Sequence, residues 1–146
     1  MSMTGLSVFD STIHQTNAWL KALGEDLKSD DRHRAYLALR VTLQALRDRL
    51  PPELAVHLGA QLPMLVRGFY FEDWQMAKTP TSARHKDDFL TPIEWTFRQD
   101  PDADIERIAK AVFALLTREL DHGEIRKVIS ALPRDLKALW PEGAGS

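Results

Sequence analysis

The chain has 146 residues, 44% of them hydrophobic and 27% charged, and a formal net charge of -2. Those values describe one ordinary globular domain, and they exclude a disordered segment and a general binder of nucleic acid or membrane surfaces. The absence of cysteine excludes disulfides, thiolate metal sites, iron–sulfur clusters and a cysteine nucleophile.

Met1 to Leu6 reads as a frayed lead-in. A first helix is expected from about Ser7 to Leu27, with Phe9, Ile13, Leu20, Leu23 and Leu27 on one inward face. Ser29-Asp30-Asp31 supplies caps for a second helix, whose apolar stripe is Ala35, Leu39, Leu43, Leu46 and Leu50. Pro51-Pro52 ends it. A third helix runs from about Pro52 to Leu62, and a fourth, short one from Pro63 through about Trp74. Gln75 to His85 reads as a loop around Thr79-Pro80-Thr81-Ser82.

Lys86 to Phe97 carries Phe89, Ile93 and Phe97 four apart, with Thr91-Pro92 as a late start or a kink. A long helix from about Ala103 to Leu120 turns Ile105, Ile108, Val112, Leu115, Leu116 and Leu120 inward. Asp121-His122-Gly123 breaks it. Glu124 to Leu132 forms another short helix, Pro133 opens a last one ending near Trp140, and residues 142–146 read as a loose tail. No strand pattern appears. The expectation is an all-α single domain over 1–146, a compact bundle of about seven to eight helices.

A shift of seventy positions aligns the two parts of the chain. Leu46 meets Leu116, Leu50 meets Leu120, Leu62 meets Leu132 and Pro63 meets Pro133, while Leu58 meets Val128 and Tyr70 meets Trp140. Two amphipathic helices always align on some leucines. The Leu-Pro pair at one register argues instead for an internal repeat, about 7–74 and 86–141.

Several runs also resemble one family. They are Leu46-Arg47-Asp48-Arg49-Leu50-Pro51, Ala60-Gln61-Leu62-Pro63, Gly68-Phe69-Tyr70-Phe71-Glu72-Asp73-Trp74, Arg84-His85, Phe89-Leu90, Leu132-Pro133 and Leu139-Trp140-Pro141. Together they resemble the bacterial family catalogued as Domain of Unknown Function 2267, from about Phe9 to Pro141. The resemblance implies a small all-helical bacterial protein. It implies no activity and transfers no catalytic residue.

The segment from Gly68 to Lys86 is where a site is expected. It sets four aromatics beside Glu72 and Asp73, with Lys78, Arg84, His85 and Lys86 across a loop. One reading puts the aromatics in the core, with Arg84 and His85 capping or pairing locally. The other makes Tyr70, Trp74, Arg84 and His85 the walls of a pocket for a small molecule or anion. The arginines of the second helix, Arg32, Arg34, Arg40, Arg47 and Arg49, read as a solvated face rather than a phosphate-binding stripe. Glu119-x-x-His122 has a di-iron ligand spacing, but it lacks the second full motif that chemistry needs. No metal and no cofactor is expected.

Catalysis finds little support. The seven glycines are scattered singly, so no phosphate loop forms, and no Gly-x-Ser-x-Gly elbow occurs. Met1 to Asp10 carries no basic residue and no long apolar run, so no signal peptide is expected. No stretch approaches the roughly 18 apolar residues of a membrane span. The expectation is a non-catalytic cytoplasmic protein acting through a protein partner or as a homo-oligomer. The alternative is a small-molecule or anion-binding domain using the central segment.

Overall fold

Proline and capping side chains divide the chain into helices where the sequence places the breaks. The structure, a computed structural model, describes residues 2–146. Its α-helices are α1 (Ser7–Asp26), α2 (Arg32–Asp48), α3 (Pro52–Ala60), α4 (Met64–Phe71), α5 (Lys86–Thr96), α6 (Ile105–Glu119), α7 (His122–Ser130) and α8 (Arg134–Lys137). A short 3-10 turn, Met76–Lys78, interrupts the connection between α4 and α5. No strand occurs among the described residues.

The Asp31 carboxylate accepts from the backbone N–H groups of His33 and Arg34, at 3.0 and 3.3 Å, and so starts α2. Asp104 caps α6 through Arg107 N–H, and Asp121 caps α7 through Glu124 N–H, each at 3.2 Å. Pro51, Pro63 and Pro133 hold the N-cap positions of α3, α4 and α8, where a missing N–H costs nothing. Pro92 lies inside α5, so that helix neither starts late nor ends there. The Thr91 hydroxyl donates to Asp87 C=O at 2.9 Å, one turn back, within the stretch that proline disturbs.

The two long helices α2 and α6 pack together in the middle. α2 also touches α1, α4 and α5, while α6 touches α1, α5 and α7. Leu39, Leu43, Leu46 and Leu50 are fully buried, as are Val112, Phe113, Leu115 and Leu116 of α6. Phe113 stacks face to face on Trp140, with centroids 4.2 Å apart. α3 packs on α4 and α7, and α8 packs on α5. α3 and α7 are nine residues each and begin seventy positions apart, as do α4 and α8.

Two expectations change. Phe9 is 46% exposed and Ile13 only half-buried, because burial on α1 begins at Thr12. The first turn of this 20-residue helix overhangs the core it was expected to join. The tail at 142–146, expected to be loose, is docked. Ala144 is buried, Ala144 N–H donates to Pro141 C=O at 3.1 Å, and the His122 ring bonds Ser146 C=O at 3.0 Å. A side chain at Gly145 would meet Ile129 Cγ2 at 3.2 Å, so the absence of one lets the tail lie on α7.

A second close approach, on α3, involves aromatic side chains. At Gly59 of α3 a Cβ would lie 2.5 Å from Phe71 Cζ and 3.0 Å from Tyr70 Cε2. The aromatic rings of α4 fill the place where a side chain would stand. Gly59→Ala is expected to lower stability by about 1–3 kcal/mol in urea unfolding, because overpacking outweighs alanine's better helix propensity.

Candidate functional site

α3 and α4 are short helices followed by Gln61 and Glu72 rather than by glycine. Local N–H groups reach Leu58 and Gly59 C=O at the end of α3, and side chains supply further donors at both ends. Two arginines provide them. Arg67 Nε donates to Gly59 C=O at 3.0 Å, and its Nη2 to Leu62 C=O at 3.0 Å, closing the end of α3. Arg47 of α2 closes the end of α4: its Nη1 donates to Tyr70 C=O at 2.8 Å and to Glu72 C=O at 2.9 Å. Gln44, one turn earlier, donates to Phe69 C=O at 2.8 Å. Arg47 is 4% exposed, and its Nε pairs with Asp48 at 2.9 Å. Its positive charge sits at the negative end of the α4 dipole.

This overturns the solvated face expected of the α2 arginines. Arg34 pairs with Asp100 at 3.0 Å, and Arg40 pairs with Glu72. Arg32 reaches Asn17 at 3.2 Å. The row ties α2 to its surroundings instead of facing water alone. The physical reason is reach: a guanidinium on α2 finds carbonyls and carboxylates that the fold brings to it.

The four residues expected to wall a pocket are distributed as follows. Tyr70 is fully buried, and its hydroxyl donates to Ala55 C=O at 2.7 Å. Trp74 is half-buried with its ring 5.5 Å from Phe71, and its Nε1 has no partner among the described residues. Arg84 is exposed. His85 is the N-cap residue of α5, with a side chain 82% exposed and 3.6 Å from Asp135. The fold therefore separates Tyr70, in the core, from Arg84 and His85, which face water.

What the central segment does build is a shallow cleft of about 320 Å3 against the end of α2. Arg49, Lys78, Gln75, Thr79, Thr81 and Asp73 line it. Thr81 N–H donates to Asp48 C=O at 2.8 Å, fastening the segment to the last turn of α2. Asp73 adopts a left-handed backbone conformation with φ +60°, which turns the chain sharply out of α4. Burial pulls the Arg49 guanidinium below its ordinary pKa, and the charges of Asp48 and Asp88 oppose that shift.

A second surface lies at the free end of α1. Leu6, Val8, Phe9, Met64 and Leu65 are each about half exposed. Val8 and Met64 border one shallow groove, and Leu65 N–H donates to the Thr12 hydroxyl at 3.1 Å, one turn along from Val8 and Phe9. The nearby ionic groups are engaged internally: Arg67 with the α3 carbonyls, Asp10 with Ser2 and Thr4. No three His, Asp or Glu side chains gather in a metal-binding cluster among the described residues. No helix there is long and apolar enough to cross a membrane.

Removing the α4 clamp has a calculable effect. Arg47→Met leaves the Tyr70 and Glu72 carbonyls without their donor, and it should cost about 2–3 kcal/mol of stability in urea unfolding. Burial raises the Tyr70 phenol far above the usual tyrosine value, with Arg47 opposing and Asp48 and Glu124 reinforcing. Its stabilising contribution is therefore complete below the unfolded value of about 10 and is lost as pH rises above it, by up to about 1.4 kcal/mol per pH unit. Unfolding measured across that range should show this slope in the native protein and lose it in Tyr70→Phe.

No curated protein matches the chain. The family described as uncharacterized conserved protein (DUF2267) matches residues 16–139. That span holds α2 to α8 entire and both arginine-capped helices, and the chain belongs to this family.

Proposed function

We propose that this is a non-catalytic helical protein that associates with a second copy of itself through the overhanging end of α1. The observation that carries the reading is Val8 and Met64 on one shallow groove, with their chain neighbours Leu6, Phe9 and Leu65 also about half exposed. Apolar side chains exposed together in this way are the mark of an interaction face. A surface that meets its own copy across a two-fold axis must not repel itself. This one suits that demand, because the nearby charges of Asp10 and Arg67 are opposite in sign and the other groove residues, such as Ser7, Ser11 and Gln15, are uncharged. Val8 and Phe9 precede the matched span of the family, so the reading concerns this chain. A cytoplasmic setting belongs to the same proposal.

We also infer that the two sets of helices, about 7–74 and 86–141, are copies of one unit. The equal lengths of α3 and α7 at a shift of seventy support this. On that reading the 20 residues of α1 correspond to the 11 of α5, and the overhanging first turn lies within the excess length.

Sedimentation velocity over a dilution series tests the association. The native chain should show a concentration-dependent dimer, and Val8→Asp with Met64→Asp should be monomeric with unchanged helical circular dichroism. A native chain that stays monomeric at every concentration, or a double variant that still dimerises, would overturn the proposal.

A further inference from the structure

Four of the five arginines on and just after α2 are engaged: Arg32 with Asn17, Arg34 with Asp100, Arg40 with Glu72, and Arg47 with Asp48 and two carbonyls. Arg49 is different. Like those of Arg34 and Arg40, its Nε is buried without a hydrogen bond, but unlike those two arginines it has no carboxylate within ion-pairing distance among the described residues. Its central carbon lies 5.9 Å from the centroid of the Phe89 ring, a weak cation–π contact at most. Asp48 and Asp88 act on it only from a distance, so an anion arriving in direct contact recovers part of the free energy lost to its desolvation.

The cleft supplies the rest of such a site. Lys78, exposed and also without an ion pair among the described residues, stands on the same cleft as Arg49. The Thr81 hydroxyl oxygen accepts from Ala83 N–H at 3.4 Å, which leaves its own proton available. Asp48 also borders the cleft, but Arg47 neutralises it at 2.9 Å. The carbonyl of Asp48 is taken by Thr81 N–H, so this end of α2 turns less negative charge toward the space. Asp73 is the one remaining acid on the lining, held there by the left-handed turn after α4.

We infer that this cleft binds a small phosphate ester, with its phosphoryl oxygens on Arg49 and Lys78 and a ligand hydroxyl donating to Asp73. Two unpaired cations match the charge of about -2 that a phosphate monoester carries near neutral pH. The planar fork of Arg49 suits two phosphoryl oxygens at once, and Lys78 and Thr81 offer donors from other directions to the third. The volume of about 320 Å3 suits a ligand of metabolite size. The site lies apart from the apolar end of α1 and does not depend on self-association.

The test is a titration followed by NMR of the backbone amides and arginine Nε–H groups, with inorganic phosphate and glycerol 3-phosphate as probes. Sodium chloride at matched ionic strength is the control. Both probes should give saturable shifts confined to Gln75–Thr81 and the Arg49 Nε–H, with glycerol 3-phosphate binding more tightly. Arg49→Gln and Lys78→Gln should each weaken binding at least about tenfold. Lys78 is exposed, so its variant keeps the fold, and Arg98→Gln outside the cleft should bind as the native chain does. Shifts that track the chloride control, or Lys78→Gln titrating like the native chain, would overturn the site. Equal affinity for the two probes would overturn the Asp73 contact.

Discussion

The fold turns on one buried guanidinium. Arg47 sits in the core helix α2 and takes the carbonyls of Tyr70 and Glu72, 23 and 25 positions further along the chain. A charge so deeply buried is tolerated only when it is nearly fully hydrogen-bonded. Here the bonds go to carbonyls that have no intrahelical partner, at the end of a helix only eight residues long. Helix α4 is too short to be stable alone, and it owes its place to contacts such as this one. The same clamp fixes where the chain leaves α4, and so sets the position of Asp73, the 3-10 turn and the cleft wall.

Once Arg47 is placed, the remaining arginines follow a division of labour. Arg34 and Arg40 tie α2 to Asp100 and Glu72 on other elements. Arg67 performs for α3 what Arg47 performs for α4. Arg49 lies one position past the end of α2, where its fork reaches the cleft and finds no acceptor. A surface pair such as Arg34 with Asp100 contributes little by itself. The buried clamp contributes more, because its removal leaves polar groups stranded.

The apolar surface at the end of α1 has a geometric origin as well. Each residue of a helix advances it by about 1.5 Å, so 20 residues span roughly 30 Å, and the core beneath is shorter. The residues of the first turn then lack a covering element. Helical periodicity places Phe9 on the same inward side as Leu20 and Leu23, yet only the latter two are buried. Periodicity reports which side of a helix faces inward, and it is silent on where the core stops.

The all-helical class, the helix order, the Leu-Pro breaks and the core stripes of α2 and α6 were determined by the sequence alone. These depend on local matters: the 3.6-residue repeat of apolar side chains, proline's missing N–H and the capping reach of Asp31, Asp104 and Asp121. The segment after α4 was also legible as the irregular part of the chain. Only the tertiary structure decided that Tyr70 is core, that Arg84 and His85 stand apart from it in water, and that the tail lies against Ile129. It also decided which arginine is buried, which two cap short helices and which one is left over. Both α3 and α4 take donors from outside their own backbones. Naming Arg47 and Arg67 as those donors required the fold, because hydrogen bonds across 23 and 25 positions leave no mark on local sequence pattern.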